Sequence, residues 1–356
     1  MSRDGADRRL ARHATRRPKQ QLIVDKLERP LRDLRISVTD RCNFRCPYCM
    51  PEEIYGERYR FLDRDSVLTF EEIARVARML VGLGVTKIRL TGGEPLVRNQ
   101  VDRLVSMLAS IDGLSDIAMT SNGYLLAQMA QKLKDAGLQR ITVSLDSLDE
   151  EIFKQMNGRG FGTQRVIEGI AAAQNVGLAP IKINSVVQRG VNEHTIVDLA
   201  RFAKERGYIV RFIEYMDVGN LNGWQPTEVV SAEEIVAMID AEMPLKAVDG
   251  NYAGEVASRY AYADGEGEIG VIASVTKPFC TGCTRLRLSP EGSIVTCLFS
   301  SSGTDLRGPM RDGATDDELE AIVRGTWGER QDRYSELRSE AAGSPRKKVE
   351  MYHIGG

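Results

Sequence analysis

From residue 34 onward, short β-branched runs alternate six times with amphipathic stretches, and this alternation restricts the chain to folds built on a parallel sheet. The runs LRISVT (34–39), KIRLT (87–91), DIAMT (116–120), RITVSL (140–145), IKINSVV (181–187) and IVRFIEY (209–215) read as strands. FEEIARVARMLVGLG (70–84) has apolar residues at i, i+3, i+4 spacing and reads as a helix, with Thr69 as N-cap and Glu72 completing a capping box. YLLAQMAQKLKDAG (124–137) and HTIVDLARFAKERG (194–207) fill later intervals in the same way. Such strand–helix units imply right-handed crossovers. The strands are followed by polar, mostly glycine-bearing segments: TDRC, TGGEP, TSNG, SLDS and MDVGN. In a barrel, loops at these strand ends build the active site. The alternation alone leaves a barrel and a doubly wound sheet both open.

The pattern changes near Pro244. Short strands are expected at 252–262, 268–275, 284–289 and 293–298, joined by turns such as DGEG and SPEG, and they suggest a second, more antiparallel module. A helix at 316–324 and the tail KKVEMYHIGG follow. The expected division is a flexible basic leader (1–30), a partial barrel (31–245), a C-terminal module (246–345) and a tail (346–356). With 356 residues, 42% of them hydrophobic, the chain can form one large domain and a smaller one. Its net charge of −2 gives no bulk attraction to nucleic acid or membrane. No apolar run approaches the ~20 residues of a membrane span. Arg8–Arg9 and Arg16–Arg17 precede no apolar core, so a secretion signal is not expected and a cytoplasmic location is.

Chemistry is concentrated in the six cysteines. Cys42, Cys46 and Cys49 share the loop behind the first strand, in CNFRCPYC. Three thiolates on one loop can hold three irons of a 4Fe–4S cube and leave the fourth open to a chelating ligand. Structural zinc prefers four closed ligands, and no fourth cysteine or histidine lies nearby in sequence. Cys280 and Cys283 form a second pair, to which a strand–turn–strand can return Cys297. For this triplet, taken alone, zinc remains an alternative. Arg285 and Arg287 share one face of the strand between these cysteines. Arg35, Lys87 and Arg89 interrupt apolar strands, and Lys182 lies within another. Buried unpaired charges are costly, so a basic set aimed at an anion explains them without a P-loop, which the chain lacks. NGRGFG (157–162) mimics a dinucleotide fingerprint, but it follows a helical segment and reads as a flexible connector.

Cys-x₃-Cys-x₂-Cys with Tyr48 before the last cysteine, followed by TGGEP (91–95), resembles the two motifs of the radical S-adenosylmethionine superfamily. With FCTGCTRLRLS, Cys297 and the terminal Gly355–Gly356, the chain from Leu31 to Gly356 is similar to the GTP 3′,8-cyclase family, which begins molybdenum cofactor synthesis. The resemblance implies an α/β fold, a partial (βα)6 TIM-type barrel whose C-terminal module carries a second iron–sulfur cluster. It implies two 4Fe–4S clusters, on Cys42, Cys46 and Cys49 and on Cys280, Cys283 and Cys297. Tyr48, Gly93, Glu94, Ser144 and Met216 match contacts to S-adenosylmethionine. Arg35, Arg89, Thr120, Lys182, Arg285 and Arg287 match contacts to GTP, with Lys87 beside them. Arg285, Arg287, Gly355 and Gly356 are the implied catalytic set.

The implied reaction abstracts hydrogen from the 3′ carbon of the GTP ribose and closes the ring on guanine carbon 8. The resemblance also implies a homodimer, a flavodoxin- or ferredoxin-type electron donor, and cyclic pyranopterin monophosphate synthase downstream. Neither nucleic acid nor membrane is an implied partner. The rivals are a radical peptide or cofactor maturase and a zinc-dependent nucleic-acid-binding module.

Overall fold

The computed structural model describes residues 22–252, 254–338 and 347–356. The arginine pairs of the basic leader lie outside the described residues. All six expected strands form: β1 (Asp33–Ser37), β2 (Lys87–Thr91), β3 (Asp116–Ser121), β4 (Arg140–Ser144), β5 (Lys182–Val187) and β6 (Ile209–Glu214). They pair in sequence order, each parallel to the next. Helices connect them. In Phe70–Gly82 the Thr69 side chain accepts from the Glu72 amide, and the Glu72 carboxylate accepts from the Thr69 amide. Within β1, Leu34 and Ile36 are fully buried in the core, whereas Asp33 and Arg35 line cavities on the other face. Alternation along a strand separates the two sets.

The C-terminal strands do not make a separate sheet. They are β7 (Leu245–Val248), β8 (Ser258–Tyr262), β9 (Glu268–Ile272), β10 (Arg285–Leu288), β11 (Ser293–Val295) and β12 (Thr304–Asp305). The single sheet runs β12-β11-β10-β1-β2-β3-β4-β5-β6-β9-β8-β7. β9 lies parallel to β6 and β10 parallel to β1, so two antiparallel hairpin sets extend the barrel wall from both edges. The expected strand 252–262 shortens to its last five residues, and β7 arises upstream of it.

The expectation of a flexible leader to residue 30 fails for residues 22–30. There Ile23, Asp25 and Arg29 are buried, and Leu31 N bonds back to Ile23 O at 3.0 Å. Among the described residues no helix is long and apolar enough to cross a membrane.

Candidate active site

The first cysteine loop is built against the TGGEP turn. The Gly93 and Glu94 amides donate to the carbonyls of Thr39 (2.8 Å) and Arg41 (2.9 Å). A Cβ on Gly93 would overlap the Arg41 carbonyl, so only glycine permits this approach. The Glu94 carboxylate accepts from Leu96 N (2.9 Å), Ser121 Oγ (2.8 Å) and Asn122 N (2.7 Å), and burial pushes it up to about 7. Its oxygens tie the TGGEP and TSNG segments together. Cys42 Sγ accepts from Phe44 N at 3.4 Å and Asn122 Nδ2 at 3.9 Å. Tyr48 donates to Asp146 at 2.7 Å. Asn122 and Asp146 escaped the sequence reading, although both stand in strand-end segments singled out there, TSNG and SLDS.

NGRGFG is an ordered brace rather than a flexible connector. Asn157 is buried and its carbonyl accepts from Arg45 N at 2.8 Å, while a Cβ on Gly158 would overlap the Arg45 carbonyl.

All six cysteines are free and partly accessible. Burial, then Glu94, pushes the Cys42 thiol up to about 12; burial raises Cys46 and Cys49 as well. Among the described residues no group of three or more His, Cys, Asp or Glu side chains is gathered as a single-ion site. The donor chemistry suits an iron–sulfur cluster: three thiols on one loop, N–H groups directed at sulfur, and the buried Nδ2 of Asn43, which has no hydrogen-bond partner among the described residues.

The strand register gathers the basic residues. Arg35 stands between Arg89 on β2 and Arg287 on β10, and Asp33, one row below, stands between Lys87 and Arg285. Arg89 Nη1 donates to Thr120 Oγ1 (3.0 Å) and Thr142 Oγ1 (3.1 Å). Arg211 on β6, missed in the sequence, donates to Asn184 Oδ1 (3.0 Å) and Thr142 Oγ1 (3.3 Å). Burial, then Arg287, Arg285, Arg89 and Arg211, lowers Arg35 well below the ordinary value. Burial, Arg211 and Arg140 bring Lys182 down to about 8. These cations repel one another, and a polyanion would relieve that repulsion. Lys87 has nearer partners, Tyr252 Oη at 2.9 Å and the carboxylates of Asp33 and Asp116, each at 3.8 Å. Lys87, Arg89, Lys182 and Arg211 line a charged cavity of about 650 Å³ at the N-terminal strand ends.

Higher in the barrel, Arg35, Arg89, Thr120, Met216, Arg285 and Arg287 line a second cavity of about 150 Å³ together with Cys280, Cys283, Cys297 and Gly356. Arg285 Nη2 lies 3.2 Å from Cys283 Sγ. Burial alone would raise Cys283, but Arg285 and Arg330 outweigh it and bring the thiol down to about 6; burial raises Cys297 to about 11.

The tail reaches this cavity. Lys348 pairs with Asp217 at 2.8 Å, Asn220 donates to Glu350 at 2.7 Å, and the Tyr352 and Tyr59 hydroxyls meet at 3.0 Å beside the cysteine loop. Arg287 Nη1 donates to the carbonyls of Ile354 and Gly355. Gly355 has φ +70° and abuts Thr91, where any side chain would collide. Tyr48, Gly93, Glu94 and Ser144 are not among the residues lining either cavity.

A parallel barrel wall with three cysteines behind its first strand and a Gly-Gly-Glu turn behind its second defines a radical S-adenosylmethionine fold. The sequence model of the Radical SAM superfamily matches residues 36–203, and that of Molybdenum Cofactor Synthesis C matches 208–336. S-adenosylmethionine-bound SuiB of Streptococcus suis shares the fold: TM-score 0.58 at 15% identity, over 84% of this chain and 69% of that one. The chain is 51% identical to the GTP 3′,8-cyclase of Acidothermus cellulolyticus and 49% identical to that of Staphylococcus carnosus, in each case over 94% of this chain and 99% of the relative. The chain belongs to the GTP 3′,8-cyclase family. Membership of the radical superfamily implies S-adenosylmethionine and a 4Fe–4S cluster.

Proposed function

We propose that this chain converts GTP to 3′,8-cyclo-7,8-dihydro-GTP, the first step of molybdenum cofactor synthesis. The observation that carries the proposal is the shared cavity. Basic strand residues, the second cysteine triplet, Met216 and the terminal glycine all face one space inside the barrel wall. In this reading Cys42, Cys46 and Cys49 hold one cluster, and Tyr48, Gly93, Glu94, Ser144 and Met216 form the S-adenosylmethionine site. What the cluster and S-adenosylmethionine supply when bound is one-electron cleavage of a carbon–sulfur bond, and so a hydrogen-abstracting radical.

The chain's own work is orientation and exclusion of water. Arg35, Lys87, Arg89 and Lys182, joined by Arg211, take the triphosphate. Thr120 helps fix the nucleotide. Cys280, Cys283 and Cys297 would hold a second cluster, and Arg285 and Arg287 line the same cavity. Gly355 and Gly356 close the space with backbone alone, where a Cβ would collide with Thr91 or Met351. A homodimer, a flavodoxin- or ferredoxin-type electron donor, a cytoplasmic location and cyclic pyranopterin monophosphate synthase as the next enzyme complete the proposal.

The test is anaerobic incubation of reconstituted protein with S-adenosylmethionine, reductant and GTP. Cyclised GTP should appear together with 5′-deoxyadenosine, from protein carrying about eight irons per chain. Cleavage of S-adenosylmethionine that proceeds without GTP and yields no cyclised nucleotide would overturn the proposal in favour of a maturase.

A further inference from the structure

Behind the Cys280–Cys283 turn lies a buried charge cluster to which the proposed reaction assigns no role, although its Arg330 also lines the second cavity. Asp25, Arg29 and Arg330 are 3%, 2% and 4% exposed. The Asp25 carboxylate accepts from the amides of Leu27 (2.9 Å) and Arg29 (3.0 Å), which fold residues 25–29 into a turn. It also accepts from Arg29 Nε at 2.6 Å and Arg330 Nη1 at 3.3 Å. Each guanidinium then reaches the cysteine turn. Arg29 Nη1 donates to the carbonyl of Cys280 at 2.8 Å, and Arg330 Nη1 to the carbonyl of Cys283 at 2.8 Å. Trp327 braces the pair: its indole donates to the Arg29 carbonyl at 3.2 Å and its ring lies 4.6 Å from the Arg330 guanidinium.

The clamp sets two guanidinium groups against the Asp25 carboxylate and, more loosely, that of Asp332. Asp332 is the nearest further anion, 3.4 Å from Arg330 Nε but not aligned for a hydrogen bond. Arg29 Nη2 and Arg330 Nε are both buried without a hydrogen-bond partner among the described residues. Leaving such donors unsatisfied is costly. Guanidinium groups that donate to the ligand carbonyls and keep N–H groups in reserve would favour a group that becomes more anionic on reduction, as an iron–sulfur cluster does.

We infer that Asp25, Arg29 and Arg330 are positioning residues of the C-terminal cysteine site. They fix the carbonyls of Cys280 and Cys283 and raise the reduction potential of the cluster held by Cys280, Cys283 and Cys297. This rests on the reading of those cysteines as cluster ligands.

The test uses the full chain with Cys42→Ser, Cys46→Ser and Cys49→Ser, reconstituted anaerobically so that iron can bind only at the C-terminal site. Absence of iron from this parent would overturn the cluster reading itself, and the inference with it. With iron present, adding Arg330→Gln should shift the reduction equilibrium about tenfold toward the oxidised form, a fall of about 59 mV in a one-electron midpoint. Arg330→Lys, which keeps the charge, should recover most of that shift. An unchanged midpoint and an unchanged electron paramagnetic resonance spectrum in Arg330→Gln would overturn the inference. If Arg330→Gln takes up no iron, the same substitution with all native cysteines decides. First-site iron retained while C-terminal iron is lost supports the assignment. Loss of both shows that Arg330 serves the fold alone and overturns it.

Discussion

Cys42, Cys46 and Cys49 come from one loop behind β1, whereas Cys280 and Cys283 precede β10 and Cys297 follows β11. Around the first triplet the charged neighbours that act on the thiols include Glu94 and Asp146, which with burial raise Cys42 and Cys46. Around the second, Arg285 and Arg330 overcome burial to draw Cys283 down to about 6. The leading charge at Cys283 is thus positive, whereas at Cys42 and Cys46 it is negative. A cluster on the first loop would meet Glu94 ahead of Arg45 at Cys42 and Asp146 at Cys46, so it would gain little cationic help on accepting an electron, which suits a strong reductant. A cluster at the second would meet the guanidinium groups of Arg285 and Arg330 at Cys283, which favour electron-rich ligands. The difference teaches that ligand count sets what can bind, while neighbouring charge sets what the bound group is good for.

The largest expected effect separates the two sites outright. Cys46→Ser should abolish reductive cleavage of S-adenosylmethionine and remove about four of about eight irons, leaving the C-terminal site loaded. Loss of all iron would show that the sites are one folding unit and would break the comparison.

Next is the link between them, the tail. Arg287→Ala, or truncation after Ile354, should cut formation of cyclised nucleotide about 10²-fold while S-adenosylmethionine binding is retained, because a misplaced tail disturbs orientation rather than cofactor capture. The two changes combined should cost little more than either alone, since both break the same Arg287–Gly355 contact.

A smaller effect sharpens the first site alone. Gly93→Ala forces a Cβ onto the Arg41 carbonyl, an overpacking of about 1–3 kcal/mol. Thermal unfolding and iron analysis should show a lower midpoint and depleted first-site iron, with C-terminal iron unchanged.

How much of this was legible in the sequence depends on how local each signal is. The six strands and the Thr69–Glu72 box follow from period and spacing within a few residues. Arg35 and Arg89 stand out because each interrupts an apolar strand, and Arg211 carries the same signature in IVRFIEY. The pairing of β9 with β6 and of β10 with β1 was not legible. A hairpin pattern shows that two strands meet, not which distant strand the outer one joins. Residues 22–30 read as part of a polar leader because what buries Asp25 and Arg29 is contributed by residues 280–283 and 327–332, some 250–300 positions away. The ordering of NGRGFG was hidden for the same reason: its partner, Arg45, is over a hundred residues upstream.

The smallest expected effect concerns the anchor furthest from the chemistry. Lys348 Nζ meets Asp217 at 2.8 Å, and their side chains are 11% and 14% exposed. Arg338 and Tyr334 also bind Asp217, at 2.9 Å and 2.5 Å, so Lys348→Met leaves that carboxylate satisfied rather than orphaned. The Asn220–Glu350 bond and the Tyr352 contacts still hold the tail downstream. A partly exposed pair with such backup is worth about 1 kcal/mol or less. Lys348→Met should therefore make the tail more susceptible to limited proteolysis and lower the yield of cyclised nucleotide by a few-fold. Uncoupled cleavage of S-adenosylmethionine should stay at the level of the unmodified chain. A loss as deep as that of Arg287→Ala would mean that the tail is seated from its base rather than gripped at its tip, and the two cysteine sites would then be joined through Asp217 rather than through Arg287.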